Sequence, residues 1–297
     1  MTAVLNVNDL DTERLRDLRR SLGIGLKMGR LRMTTSHTAF TEAVVADEKG
    51  RPIRSASIHR IWDAHFEACR AAGLYCAIVA PFGHGKTVRN IVSRASYEIG
   101  RDVNQRIKLV SSVDNNAKHR VMAVSSILKK AAYRRLYPHV REMTAKEART
   151  SGAPKEWTQH SIYLKRPGFS IDPTLQAFGV LGSGVGARCD GYFFDDVVDF
   201  RNTLEKPALR EKVIDAIDNV WLSRLEPWGW VMYVGTPWHE SDATHWILKQ
   251  KGWSILWQNI KSDFSCIEQK VYNPPPNYPI PAYSRVVGDS IKSERWV

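Results

Sequence analysis

No stretch of this 297-residue chain approaches the ~20 consecutive apolar residues of a membrane-spanning helix. Its first thirty residues carry acids and arginines where a secretory leader would have an apolar core. Neither a membrane protein nor an exported one is expected, which leaves the cytoplasm. Cysteine is scarce as well: Cys69, Cys76, Cys189 and Cys266 form no CxxC pair and no zinc-like spacing. That excludes a disulfide scaffold and points to structural thiols in a reducing compartment. No internal repeat is present. Hydrophobic residues at 43% and charged residues at 25% exclude wholesale disorder and collagen-like chains. The length suits one large domain or two modest ones.

Acids are also in deficit, 31 against 43 lysines and arginines, for a formal charge of +12. The excess concentrates between Arg101 and Arg166, where 15 basic residues face 5 acidic ones. Such a stretch can follow a phosphate backbone, or can simply be a solvated helical face.

Hydrophobic periodicity predicts a short amphipathic helix over 9–20, then an arm or irregular subdomain through residue 57, weakly periodic and rich in Gly, Ser, Thr and Arg. A helix is expected over 58–72, ending at Gly73, and a strand buried on both faces over 74–80 (LYCAIVA). Further apolar runs at 107–112, 161–164, 177–181, 191–194, 230–234 and 253–257 alternate with helix-length segments. This is the pattern of an α/β fold with a mainly parallel sheet. A helix over 204–225 is expected to pack on the sheet through residues 209, 213, 214, 217, 220 and 221. The segment NPPPNYPIPAY reads as part of an extended linker.

PFGHGKT (81–87) follows the expected buried strand and opens an expected helix, the context of a phosphate-binding loop. Backbone N–H groups of a Gly-rich turn converge on phosphate oxygens, and a helix N-terminus adds partial positive charge. Gly83, His84, Gly85, Lys86 and Thr87 would form the cradle, with Lys86 reaching the β and γ phosphates of ATP and the Thr87 hydroxyl meeting Mg²⁺. The usual GxxxxGK[ST] spacing would put its first glycine where Ala80 stands. The partner motif is GYFFDDVVD (191–199). Asp195 at the strand end suits Mg²⁺, and Asp196 suits orientation of, and proton acceptance from, the attacking water. Taken alone, either motif could be a turn or a capped helix. A strand between the two motifs suggests, by analogy, ATP-driven motors rather than simple kinases.

At this point the sequence resembles the large terminase subunits of tailed bacteriophages, the motors that package DNA. The resemblance covers roughly residues 58–260 and rests on APFGHGKT (80–87), YFFDDVVD (192–199) and VGTPWHESD (234–242), in that order, with LVSSVDNNAKHR (109–120) in support. It implies a P-loop NTPase fold of the ASCE type over 58–262, an N-terminal arm over 1–57 and a proline-rich linker over 263–297. It implies ATP and Mg²⁺ as cofactors and double-stranded DNA as the substrate moved into a procapsid. The implied partners are further copies of the chain in a ring, a portal protein and a small terminase subunit, in the cytoplasm of an infected bacterial host.

Thr236 would belong to the family's coupling motif, bonding the catalytic water or Asp196. Two departures from the family stand out: Phe82 replaces a frequent loop arginine, and Asp196 replaces a frequent glutamate. Arg188, in GSGVGARCD, is then the candidate arginine finger offered to a neighbouring subunit. Lys129, Lys130, Arg134 and Arg135 are candidate contacts to DNA phosphates, while Tyr133 and Tyr137 are expected to pack. The family's acidic nuclease centre has no counterpart here, so no nuclease activity is expected of this sequence. Alternatives are a helicase-like repair ATPase, or a DNA-binding assembly protein with a vestigial nucleotide site.

Overall fold

A computed structural model describes residues 12–47, 49–152, 154, 157–168, 171–182, 188–260, 266–276 and 283–287. Residues 9–11 of the expected first helix, 183–187 ahead of Arg188 and 277–282 of the proline-rich segment lie outside these.

The elements run α1 (Thr12–Thr35), α2 (His37–Val44), α3 (Ser57–Ala71), β1 (Tyr75–Val79), a wide π-type helical segment (Thr87–Ser93) continuing into α4 (Arg94–Arg101), and β2 (Ile107–Ser111). Next come α5 (Asp114–Lys129), α6 (Ala131–Leu136), α7 (Ala145–Ser151), β3 (Ser161–Ile162), β4 (Leu175–Gly179) and β5 (Cys189–Asp195). The chain closes with α8 (Leu209–Asp215), β6 (Leu225–Gly235), α9 (Ala243–Ile247), β7 (Trp253–Ile260), β8 (Cys266–Tyr272) and β9 (Tyr283–Val287).

The strands form one nine-stranded sheet in the order β3-β4-β2-β5-β6-β1-β7-β8-β9. From β4 through β7 every neighbouring pair is parallel, with β3 antiparallel at one edge and β8 and β9 at the other. This is a mixed α/β fold with a largely parallel sheet flanked by helices. The strand side chains alternate between two cores: Cys76, Ile78 and Ala80 face one, Ala77 and Val79 the other. Helix α3 covers the first face with Ile58, Trp62, Phe66 and Cys69 on one stripe. The second face is covered by Val213, Ile217 and Trp221, as the sequence pattern expects.

Four expectations change. Residues 21–44 are helical rather than irregular, and Phe40 and Val44 are buried in the main core. The 204–225 segment is not one helix. It begins in a wide turn (Arg201–Glu205), passes through α8 into another (Ala216–Trp221), and ends in a 3₁₀ turn (Leu222–Arg224). Part of the expected linker is sheet, because β8 pairs along β7 from Ile260↔Ile267 to Ile255↔Tyr272. Finally, the strand that separates β1 from β5 in space is β6, whereas β2 lies outside β5.

No helix among the described residues is long and apolar enough to cross a membrane.

Candidate active site

In a parallel sheet the strands end together, and ligands bind in the loops beyond their carboxyl ends. Strands β1, β6 and β5 are adjacent, and their carboxyl ends bring together the loop 80–87, Thr236 and the pair Asp195–Asp196. These groups are far apart in sequence, so only the sheet explains their meeting.

The loop turns at Gly83 (φ 77°) and Gly85 (φ 72°), left-handed values that side chains rarely adopt. A Cβ at Gly83 would meet nothing within 4 Å, so the loop is open on that side. His84 is buried instead of lining the opening, and its Nδ1 donates to Phe82 O at 2.8 Å. Behind it, His59 accepts from Ala56 N–H at Nδ1 and donates from Nε2 to His84 O (3.0 Å). Burial pushes the His59 pKa down to about 4, so this brace is a neutral imidazole at neutral pH.

Lys86 is 6% exposed, and its ammonium donates to Ala80 O, Pro81 O (3.1 Å) and Thr236 Oγ1 (2.7 Å) while lying 5.0 Å from the centroid of the Phe82 ring. Burial lowers its pKa, an effect opposed by the charges of Asp196 and Asp195. Thr236 therefore bonds the lysine, not Asp196 as the sequence suggested, and its own hydroxyl points to Ala80 O at 3.4 Å.

Asp195 is fully buried, with Oδ1 accepting from Thr87 Oγ1 (3.1 Å) and Oδ2 from Arg120 Nε (2.9 Å). Burial raises its pKa, against the opposing effects of Arg120 and Thr87. Thr87 and Asp195 form a pair of hard oxygen donors that could hold Mg²⁺. Asp196 has a left-handed backbone (φ 45°), fixed by its N–H donating to Val234 O (2.9 Å). Its carboxylate takes no hydrogen bond from the described residues. Burial, then the neighbouring Asp195 charge, pushes its pKa up to about 6. A strained backbone, an unbonded carboxylate and a raised pKa together suit a group that exchanges protons with a small ligand.

The segment after β6 is clamped by Asp242. Its Oδ2 accepts from Trp238 N (2.7 Å) and His239 N (3.1 Å), and its Oδ1 caps α9 through His245 N (3.0 Å). The acid of VGTPWHESD is thus a loop-shaping residue.

Arg188 is not brought to this site. It precedes β5 while Asp195 ends it, a separation of about 20 Å at ~3.3 Å per residue, and its guanidinium pairs with Glu226 at 3.4 Å. Any action on its own chain's loop is excluded, because β5 runs the full depth of the sheet between them. The arginine at the site is Arg120, which sequence reasoning missed. It looked like any cation in a basic stretch, and only the pairing of β2 with β5 carries α5 to Asp195.

The four candidate DNA contacts divide. Arg134 and Arg135 are exposed on α6, Arg134 within 3.9 Å of Glu142. Lys129 lies over the Trp157 ring at 5.2 Å, and Lys130 donates to Val44 O at 3.4 Å. Tyr133 and Tyr137 are packed in the core as expected.

The cysteines also gain a neighbour that spacing did not suggest. Donor atoms of His65, Cys69 and Cys76 lie within 4.8 Å of one another, fully buried between α3 and β1. His65 Nε2, the nitrogen nearest Cys69 Sγ (3.7 Å), donates to Ser254 O at 3.2 Å. In this geometry His65 Nε2 carries a proton rather than an open lone pair.

No protein-family model matches this chain, and no curated protein matches it.

Proposed function

We propose that this chain is an ATP hydrolase of the P-loop, ASCE type, and that it is the motor part of a phage-type large terminase subunit acting on double-stranded DNA. The observation that carries the reading is the convergence of Lys86, Thr87, Asp195, Asp196 and Thr236 on one end of three adjacent parallel strands. The strand order supports it further. The loop strand β1 and the carboxylate strand β5 are separated by one strand, β6, which leads directly into Thr236.

The residues fit a bound nucleotide and metal. Gly83 and Gly85 keep the loop backbone open for phosphate oxygens. Lys86 would exchange its present oxygen partners for β- and γ-phosphate oxygens. Thr87 and Asp195 would hold Mg²⁺, which when bound offsets the charge of the phosphates. Asp196, ionised above about pH 6, would orient water for in-line attack on the γ-phosphorus and accept its proton. Because Thr236 bonds Lys86, movement of the lysine toward phosphate would be felt at the end of β6 and in the loop clamped by Asp242. The ring of copies, portal protein and small subunit belong to the same proposal.

The test is phosphate release by the 297-residue chain with and without duplex DNA, beside Lys86→Ala and Asp195→Ala. Release by the wild type that is stimulated by duplex and abolished by both substitutions is expected. A folded wild type that binds duplex but releases no phosphate would favour the vestigial-site alternative, which has one observation in its favour: the Lys86 ammonium already has three oxygen partners without a phosphate.

A further inference from the structure

Asp195 is a buried carboxylate, and Arg120 is the one cationic side chain among the described residues that forms a salt bridge with it. Lys86, the loop's own cation, is turned toward Ala80, Pro81 and Thr236. The loop 81–87 carries no arginine. The next two along the helix, Arg89 and Arg94, are fully buried on Asp63, and Arg188 is at the far end of β5. Arg120 is paired with the site's carboxylate and still partly exposed, with its side chain 28% accessible.

Its position also conflicts with a loaded site. Arg120 holds Oδ2 of the carboxylate whose Oδ1 is shared with Thr87. A divalent cation placed between Thr87 and Asp195 brings two positive charges to a carboxylate that already has one. The guanidinium is then no longer needed as the counter-charge and is repelled. The triphosphate that would arrive with the cation offers a strongly anionic acceptor in its place. The planar fork of arginine suits two phosphate oxygens as well as it suits a carboxylate.

Resting on the nucleotide reading above, we propose that Arg120 is the charge-stabilising arginine of this site, supplied by the same chain. It is parked on Asp195 when the site is empty and transferred to the γ-phosphate when metal and nucleotide bind. In the reaction, water oxygen bonds to the γ-phosphorus as the bond to the β–γ bridging oxygen breaks. The water proton passes to Asp196, and ADP and phosphate leave. Arg120 neutralises the charge that builds on the γ-phosphoryl oxygens during that exchange.

The test compares wild type, Arg120→Ala, Arg120→Gln and Arg120→Lys as full chains, with thermal melts to verify folding. Mn²⁺ binding without nucleotide, read by electron paramagnetic resonance, should tighten several-fold in the alanine and glutamine variants because a competing cation is gone. ADP affinity should stay within about twofold. Affinity for a non-hydrolysable ATP analogue should fall, KM for ATP should rise with it, and kcat should fall at least about 100-fold. Lysine should restore little, since it lacks the fork. Weaker Mn²⁺ binding in Arg120→Gln, or unchanged kcat, would overturn the proposal and leave Arg120 a fixed partner of Asp195. If wild type binds neither nucleotide, and Lys86→Ala changes nothing, the underlying reading has failed instead and this proposal falls with it.

Discussion

Asp196 combines a left-handed backbone, an unbonded carboxylate and a pKa pushed to about 6 by burial and by Asp195. The raised pKa means that the folded chain holds the proton more tightly than the unfolded chain, whose carboxyl sits near its ordinary value of 3.8. The stability linked to that proton is therefore fully present below about pH 4 and is lost as pH rises through about 6. Asp196→Asn removes the charge and keeps a residue type that tolerates positive φ. At pH 8 it should be more stable than wild type by about 3 kcal/mol, and by almost nothing at pH 4, as read by urea melts at both values. It should also abolish hydrolysis while retaining nucleotide binding. A wild-type rate that climbs with pH and levels off above about 7 would carry the same signature, because the base works only when ionised. A variant that is less stable at pH 8 would mean that the Asp196 carboxylate is paired rather than strained.

At the scale of elements, the feature that ties the amino-terminal helices to the site is a buried ion cluster. Asp63 on α3 receives Arg89 from the helical segment after the loop, Arg94 from α4 (3.1 Å) and His37 Nδ1 from α2 (2.6 Å). Burial alone would raise its pKa, but the His37 hydrogen bond and the charges of Arg94 and Arg89 hold it well below the usual carboxylate range. Burial, with Arg94, drives His37 down to about 3, so the histidine is a neutral donor at neutral pH. Asp63→Ala leaves two fully buried guanidiniums short of a partner and should cost about 3 kcal/mol, measured by urea unfolding. A loss under 1 kcal/mol would mean that α2 is held by its apolar contacts alone. The cluster also explains what the sequence could and could not reveal. Strands such as LYCAIVA and YFFDD were legible because burial on both faces demands unbroken apolar runs. The loop's turns were legible because their positive φ values at Gly83 and Gly85 call for glycine. Only the start of helix α1 was legible, within the helix expected over 9–20; beyond it Ile24, Leu26, Met28 and Leu31 are exposed and leave no core-facing stripe to show that it runs on to Thr35. His37 and Asp63 look like ordinary polar residues until the fold joins them, and Arg120 stayed hidden for the same reason. Strand β8 was hidden by its composition, CIEQKVY, whose polar residues do not read as a buried strand.

For the molecule as a whole, the formal charge of +12 matters only where cations remain free to meet phosphates. Of the four residues singled out from the basic stretch, Lys130 is tied to the Val44 carbonyl and Lys129 covers the Trp157 ring. Arg134 and Arg135 are exposed on α6, Arg134 with only a long contact to Glu142, and Lys129 is exposed at the end of α5. If α6 faces duplex DNA, replacing both arginines with alanine removes about two phosphate contacts. The slope of log affinity against log salt should then shrink by roughly 1.8, at about 0.9 per contact. The loss should be equal for unrelated duplex sequences, because backbone contacts carry no base information. Lys130→Ala should act differently, lowering the melting temperature slightly through its lost bond to α2 and leaving the salt slope nearly unchanged. Fluorescence anisotropy with a labelled duplex over a salt series separates these outcomes. An unchanged slope in the double variant would remove α6 from the interface. Duplex-stimulated phosphate release that is lost in that variant while basal release persists would instead tie the exposed arginines, through α5 and Arg120, to the chemistry at Asp195.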